Sequence, residues 1–191
     1  MIRVAVIDGH PAMRAGIEAL LSPTRDIQVV AGASGEMNEV AHMLYATTPD
    51  VVIVEDAPGR ADGIELTRLI KGHVPAPRIV LYVDGVDPGS VASAMLAGAD
   101  ALIDSRGDAR DLGAAIRSAA RGAPVFPELD PQATAALERR LPTEDQDILR
   151  MRLATLSLRE IAGLLRIDAG TLRERLRTMI AALRVPAPGV S

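Results

Sequence analysis

The stretch DVVIVEDAPGRADG, residues 50–63, contains the pattern that decides the fold. Its first half is a nearly continuous run of valine and isoleucine, not an alternation of apolar and polar residues. Such a run is typical of a strand in a parallel sheet that is covered on both faces. The run ends in two acids, Glu55 and Asp56, so the stretch also indicates a polar site where a strand ends.

Four further short apolar runs resemble this one, and segments with helical spacing of apolar residues lie between them. The runs are IRVAVID (2–8), IQVVAG (27–32), RIVLYVD (78–84) and ALID (101–104). Strand and helix therefore alternate five times, which predicts an α/β fold. We expect a doubly wound, five-stranded parallel sheet of the flavodoxin-like kind over residues 1–122.

Acids end four of the five predicted strands: Asp8, Glu55 with Asp56, Asp84 and Asp104. In open α/β sheets the functional crevice lies outside the carboxyl ends of the strands, where the strand order reverses. A 2-1-3-4-5 order would place Asp8 beside Glu55. The alternative is that each acid only solubilises its strand end, but their coincidence at one edge favours a site.

The remaining sequence predicts a linker and a small helical domain. Residues 123–136 hold three prolines within eight residues, which disfavours regular structure, and a short helix is expected from Pro131 to about Arg140. Residues 137–191 predict helices over 144–154, 158–165 and 169–184, which is a helix-turn-helix layout. Thr143 with Gln146 and Ser157 with Glu160 have capping-box form, and Asp168 is a candidate N-cap.

The last predicted helix has one apolar and one polar side. At 100° per residue, the apolar side collects Leu172, Leu176, Met179, Ile180 and Leu183. On the polar side, Arg173 and Arg177 are one turn apart and could reach guanine edges or phosphates, whereas Arg175 is expected to meet phosphate. Glu174 could accept from cytosine or pair with Arg177. The residues predicted to bind DNA are Arg166, Thr171, Arg173, Glu174, Arg175, Arg177 and Thr178, and the alternative is an ordinary solvated face.

Charge and composition agree with this division. Residues 1–136 hold 11 basic and 18 acidic residues, whereas residues 137–191 hold 10 and 7, so an acidic part precedes a basic part. That asymmetry suggests one regulatory and one polyanion-binding unit. The sequence has no cysteine, no apolar run of transmembrane length and no signal-peptide pattern at its start, so a cytoplasmic protein is expected.

These motifs together resemble response regulators of the NarL/FixJ type, in which a receiver domain precedes a LuxR-type helix-turn-helix. The resemblance covers almost the whole chain. It is carried by MIRVAVIDGHPAMRAGIEALL at the start, PDVVIVE with the later DG pair, LAGADALIDS, and LPTEDQDILRMRLATLSLREIAGLLRIDAGTLRERLRTMIAALRV. It implies a transcription regulator that binds double-stranded DNA at promoter sites and is not an enzyme.

The resemblance also shows what the receiver pocket has lost. In an ordinary receiver, two adjacent acids hold magnesium and one aspartate of the receiver is itself phosphorylated. A Thr or Ser, a Lys and an aromatic residue respond to that phosphoryl group. The corresponding positions here are Asp8 and Gly9, Glu55, Val83, Ser105 and Leu102. Magnesium requires near-octahedral oxygen ligands, and Val83 cannot hydrogen-bond a phosphoryl group. We therefore expect a degenerate pocket with no metal, no cofactor and no phosphorylation at Glu55.

Several alternatives stay open at this point. Asp56 could be the phosphoryl acceptor, but neighbouring strand residues point to opposite faces. Glu55 could imitate a phosphorylated aspartate, or be a relic. The receiver could bind a small molecule or a partner protein, and the protein could be an anti-regulator or heterodimer partner with little DNA binding. Relatives continue into a fourth helix used for dimer contact, whereas VPAPGVS does not predict a helix, so homo- or heterodimerisation is expected through the receiver or the linker.

Overall fold

The computed structural model describes residues 1–57, 62–73 and 75–184. In these ranges five strands alternate with five helices, and further helices follow. The first series is β1 (Ile2–Ile7), α1 (Pro11–Leu21), β2 (Ile27–Ala33), α2 (Met37–Thr47), β3 (Val51–Asp56), α3 (Gly63–Lys71), β4 (Arg78–Val83), α4 (Pro88–Ala97), β5 (Ala101–Asp104) and α5 (Ala109–Ala120). The second is α6 (Pro131–Glu138), α7 (Thr143–Leu153), α8 (Leu158–Leu165) and α9 (Ala169–Arg184).

The strands form one parallel sheet in the order β2-β1-β3-β4-β5, which confirms the predicted fold class and strand order. The side chains of residues 51–54 are completely buried, as the continuous apolar run of β3 predicted. Ile7 of β1 lies opposite Val54 of β3. The next residue of each strand is an acid, so this register brings Asp8 and Glu55 side by side at the carboxyl edge of the sheet.

The described chain divides into two compact units. The first comprises Met1–Val86 and Ala99–Phe126, and it contains the whole sheet. The second comprises Asp87–Gly98 and the chain from Pro127 onward. Helix α4 therefore belongs to the second unit, although it stands between two sheet strands in the sequence. The predicted domain limits of 1–122 and 137–191 follow chain order and stay a prediction.

The predicted linker contains more order than its prolines suggested. Val125 forms a parallel bridge with Ala101, donates to the carbonyl of Asp100 and accepts from the N–H of Leu102, each at 2.9 Å. Helix α6 begins at Pro131 as predicted, because the Asp130 side chain caps it by accepting from the N–H of Ala133 at 2.7 Å.

The helix-turn-helix prediction is confirmed at α8 and α9, whose bounds coincide with those expected. Ser157 and Glu160 form the predicted capping box at the start of α8. Arg166 ends α8 in a left-handed conformation, with φ of 54°. The Asp168 carboxylate then accepts from the N–H groups of Gly170 and Thr171 at 2.7 and 3.0 Å, as an N-cap does. All five residues of the predicted apolar side of α9 are buried.

The predicted capping box at Thr143 is wrong. Helix α7 begins at Thr143 itself, after Pro142, so the Thr143 side chain is inside the first turn and does not cap it. The Gln146 side chain instead donates to the carbonyls of Glu138 and Leu141 at 3.2 and 3.3 Å. Pro142 occupies the N-cap position, with φ of −52° and ψ of 146°, and its side chain makes no capping hydrogen bond.

Two expectations concern the chain ends and the membrane. The VPAPGVS segment (185–191) lies outside the described residues, so the expected loss of a fourth helix is not addressed by the structure. None of the described helices combines the length and the apolar character that a membrane span requires.

Candidate functional site

The pocket at the carboxyl edge of the sheet is centred on Asp8. Its side chain is fully buried, and both carboxylate oxygens accept hydrogen bonds. Oδ1 accepts from the backbone N–H of His10 at 2.6 Å, and Oδ2 accepts from the hydroxyl of Tyr82 on β4. The Asp8 carbonyl also accepts from Arg14 at 2.6 Å. Asp8 is thus held by groups from β4, from α1 and from the turn before α1.

Glu55 faces the same pocket. Its Oε2 accepts from the N–H of Gly9 at 3.3 Å, and its Oε1 lies 3.5 Å from Nδ1 of His10. Burial raises the pKa of the Glu55 carboxyl above its ordinary value of 4.5, and the neighbouring charge of Asp8 adds to that rise. Two carboxylates in one partly buried pocket therefore disfavour full ionisation of Glu55.

Asp56 points away from this pocket, as the alternation of strand side chains predicted. Its Oδ1 accepts from the N–H of Gly63 at 3.1 Å, at the first residue of α3. A Cβ added to Gly63 would lie 2.3 Å from the carbonyl oxygen of Glu55, so the chain needs glycine there to let α3 approach β3. Asp56 therefore joins α3 to the end of β3 and does not face Asp8.

The other predicted pocket positions lie on β4, on β5 and in the turn after β5. Val83 and Leu102 are buried apolar side chains. Ser105 is exposed, and its backbone N–H donates to the carbonyl of Val83 at 2.8 Å. The remaining strand-end acids, Asp84 and Asp104, are both paired with Arg106, at 3.1 and 3.3 Å. They form a second, separate cluster, in which the N–H of Arg106 lowers the pKa of Asp104.

The residues present do not fit the magnesium ion that the receiver resemblance implies. Mg²⁺ selects an octahedral shell of oxygen ligands and retains several waters. Here the second acid is replaced by Gly9, and an imidazole nitrogen lies between the two remaining carboxylates, 3.2 Å from Asp8 and 3.5 Å from Glu55. A ring nitrogen is a poor ligand for so hard a cation.

The second candidate site is the polar side of α9. Arg173, Glu174, Arg177 and Thr178 are all exposed. Glu174 pairs with Arg177, with Oε1 2.5 Å from Nη2, which confirms the predicted i,i+3 pair. The side chain of Arg173 forms no hydrogen bond or ion pair with any other described residue, so it is available to an external partner.

Arg175 has a different position from the one predicted. Its guanidinium lies 2.6 Å from Oδ1 of the buried Asp145 and also donates to the carbonyl of Glu144, both at the start of α7. Its angle around the helix places Arg175 beside the polar side, which is why a phosphate contact was predicted. That angle does not show that α7 offers Arg175 a partner within the protein. Thr171 also has a local role, since its hydroxyl donates to Asp168 at 2.5 Å.

Sequence reasoning missed two residues of the Asp8 pocket, His10 and Tyr82. The sequence could have indicated a role for Tyr82, because a tyrosine buried in a strand requires a hydrogen-bond partner for its hydroxyl. His10 stands two residues after Asp8, and only the turn into α1 directs its ring back to the carboxylates.

A small cleft lies between α1 and α5, beside the Asp8 pocket. Its volume is about 150 Å³, and its lining includes Tyr82 and the partly exposed Met13 and Leu20 of α1. Typical small-molecule pockets enclose roughly 300–1,000 Å³. The cleft is therefore too small to supply by itself the ligand pocket expected as one alternative for the receiver.

Comparisons with known proteins agree with this architecture. Residues 4–117 match the response regulator receiver domain. The response regulator protein VraR of Staphylococcus aureus is 29% identical, over 96% of this chain and 91% of its own length. A crystal structure of a LuxR-family two-component response regulator from Aurantimonas sp. SI85-9A1 is 29% identical with a TM-score of 0.60, over 73% of this chain and 98% of that one.

A further relative aligns over nearly the full length of both chains. ChrA, the response regulator of a heme-sensing two-component system, is 27% identical with a TM-score of 0.54 and covers 96% of each. The matched receiver domain spans more than half of this chain, and the sheet order and strand-edge pocket agree with it. This chain belongs to the response regulator receiver family.

Proposed function

We propose that this protein is a DNA-binding transcription regulator whose receiver domain acts without phosphorylation. The observation that carries DNA binding is the polar side of α9. A capped helix, a tight turn and a second helix present Arg173 and Arg177 to solvent one turn apart, which is the arrangement that reads the major groove.

The output role follows from the chemistry of that surface. Arginine forms bidentate hydrogen bonds with guanine edges and pairs with phosphates. Arg173 is the candidate for base contact, because its side chain has no other described partner. Arg177 and Thr178 lie on the same side, while Arg166 lies at its N-terminal entrance. Arg175 stabilises the domain, so we no longer assign it to phosphate.

Independence of phosphorylation follows from the Asp8 pocket. Glu55 stands at the acceptor position, and its carboxylate is committed to Gly9 and to the Asp8–His10 pair. Val83 cannot hydrogen-bond a phosphoryl oxygen, Leu102 stands at the position of the aromatic switch residue, and Asp56 accepts from the N–H of Gly63 in α3. We propose that regulation comes from dimerisation or partner binding of the first unit.

The test is selection of bound sequences from random duplex DNA with untreated, full-length protein. A defined motif is expected, and Arg173→Ala should weaken binding to it by about 1–3 kcal/mol. The matched control is Arg110→Ala, which removes an exposed arginine from α5 and should leave affinity unchanged apart from a small electrostatic effect. Normal affinity of Arg173→Ala would refute the assigned recognition surface.

A second arm addresses phosphorylation. The protein is incubated with acetyl phosphate and Mg²⁺, and its intact mass and affinity for the selected motif are measured. No added phosphoryl group and an unchanged affinity are expected. Incorporation that is abolished by Asp56→Asn would establish a conventional regulator instead.

The second candidate function is a partner protein or anti-regulator, which the exposed Glu174 at the centre of the α9 surface favours. A carboxylate there repels phosphate and occupies Arg177. This candidate predicts that no sequence is selected even at low salt, while the protein remains folded.

A further inference from the structure

Three side chains of metal-ligand type meet at the carboxyl edge of the sheet. Asp8, His10 and Glu55 each direct one ligand atom inward, and these atoms all lie within 4.8 Å of one another. Their exposure is graded, since the side chain of Asp8 is fully buried, that of Glu55 is 18% exposed and that of His10 is 45% exposed. The group is closed on the protein side and open toward solvent.

The distances from the His10 ring nitrogen to the two carboxylates are close to those between ligands of one small ion. Nδ1 of His10 lies 3.2 Å from Oδ1 of Asp8 and 3.5 Å from Oε1 of Glu55. Zinc–ligand bonds of about 2.0–2.2 Å in a tetrahedron require ligand atoms about 3.3–3.6 Å apart. Both distances from Nδ1 are close to this range, and the three atoms lie within 4.8 Å of one another, so side-chain adjustments would bring them around one such ion.

The surrounding hydrogen bonds orient the carboxylates in the manner of an outer shell. Tyr82 donates to the Asp8 oxygen that faces away from His10, and the N–H of Gly9 holds Oε2 of Glu55, which leaves Oε1 for the ion. Ligating carboxylates in metalloproteins are held by such groups, and loss of one typically weakens metal affinity about 10–100-fold.

The ligand set also selects the class of metal. Imidazole with carboxylates suits zinc and its first-row neighbours, whereas Mg²⁺ prefers oxygen alone. We propose that Asp8, His10 and Glu55 form a three-ligand site for a divalent transition ion of the zinc type, with a fourth position open to water or another ligand. This site is independent of whether α9 binds DNA.

The experiment uses untagged, full-length protein that has been stripped of metal with EDTA and then freed of the chelator. Zn²⁺ affinity is measured by competition with a chromophoric chelator, and Co²⁺ is added separately so that its visible absorption reports coordination geometry. One ion per chain is expected, with a tetrahedral Co²⁺ spectrum, and excess Mg²⁺ should not displace it.

The chain provides matched controls because it has three histidines. His10→Gln should weaken Zn²⁺ binding by at least about 100-fold, since it removes a ligand and not an outer-shell group. His42→Gln and His73→Gln remove exposed histidines outside the cluster and should leave affinity unchanged. Tyr82→Phe keeps the buried ring and should weaken binding about 10-fold or more through Asp8.

Three results would overturn the site: no binding of Zn²⁺ to the folded protein, equal binding by wild type and His10→Gln, or displacement of Zn²⁺ by Mg²⁺ at comparable concentration. Circular dichroism of each variant establishes that it is folded. If His10→Gln fails to fold, the Tyr82→Phe affinity and the Co²⁺ spectrum of the wild type decide the question.

Discussion

At the scale of single residues, the proposed independence of phosphorylation depends most on Glu55. Its longer side chain reaches the Asp8–His10 pair and the N–H of Gly9. It is also partly desolvated beside another carboxylate, which is why its pKa is raised. The residue is consequently part of a hydrogen-bonded cluster at the position that we assign to the phosphoryl acceptor.

That environment predicts a dependence of stability on pH. A carboxyl whose folded pKa is raised binds its proton more tightly in the folded state, so stability is lost as pH rises from about the unfolded value through the folded one. For Glu55 the loss begins near the ordinary value of 4.5 and grows as the pH rises through the raised folded pKa. Glu55→Gln, measured with EDTA present, should therefore have a melting temperature a few degrees above wild type at pH 7 and no advantage below pH 4. An equal difference at both pH values would contradict this explanation.

Arg175 supports a second prediction at this scale. Removing its guanidinium leaves the carboxylate of Asp145, which is 6% exposed, without this charged partner. Arg175→Ala should lower the free energy of unfolding by about 2 kcal/mol, which is the range for a lost charged hydrogen bond. Arg173→Ala is the control and should change stability by less than about 0.5 kcal/mol. Urea denaturation measures the free energy of unfolding of both variants. Similar values for Arg175→Ala and Arg173→Ala would show that Arg175 does not stabilise the fold.

At the scale of elements, helix α4 is the unusual one. It packs against α6, α7 and α9 within the second unit. Residues 91–97 are all buried. The guanidinium of Arg152 on α7 is itself buried and donates to the carbonyl of Met95 through Nε at 2.9 Å and Nη2 at 2.5 Å. These contacts stabilise α4 as part of the helical unit.

The close approach of α4 to α9 depends on a glycine. A Cβ added at Gly89 would lie 2.7 Å from the carbonyl oxygen of Leu183, so Gly89→Ala must push the two helices apart. We expect a loss of about 1–3 kcal/mol, as for other overpacked sites. Gly163→Ala in α8 is the matched control, because nothing lies within 4 Å of the added Cβ, and it should gain about 0.5–1 kcal/mol. Chemical denaturation that ranks the two variants in the opposite order would refute the contact.

At the scale of the whole molecule, the division into two units does not follow chain order. The acidic first unit is interrupted by α4, and the basic C-terminal segment packs its apolar α9 side within a unit that includes α4. Because α4 belongs to the helical unit, that unit depends on a segment that lies about 30 residues before it in the sequence.

A fragment consisting of residues 127–191 tests that dependence. Without α4 it lacks a helix that packs against α9, and exposed apolar surface costs about 25 cal/mol per Å². The fragment should bind a hydrophobic dye and unfold with little cooperativity, whereas the full-length protein should not bind the dye. A fragment with a sharp transition and no dye binding would show that α6–α9 fold without α4.

The predictable part of the fold was the part encoded locally. Valine-rich runs such as residues 51–54 indicate burial on both faces, and Ser157 with Glu160 marks a helix start within four residues of sequence. The wrong predictions had two causes: a neighbouring residue occupied the predicted position, or the side chain met a partner far away in the sequence. Pro142 occupies the N-cap position that was predicted for Thr143, and Arg175 pairs with Asp145, 30 residues away.

The sequence by itself determined the parallel sheet, the helix-turn-helix, the apolar side of α9 and the orientation of Glu55 relative to Asp56, because each depends on residue periodicity or on neighbours within a few positions. Only the tertiary structure decided that His10 and Tyr82 meet Asp8, that Arg175 is structural, and that α4 joins the second unit. These outcomes depend on strand register and helix packing, which join residues as far apart in the sequence as Gly89 and Leu183. No local pattern records which distant partner a side chain will meet.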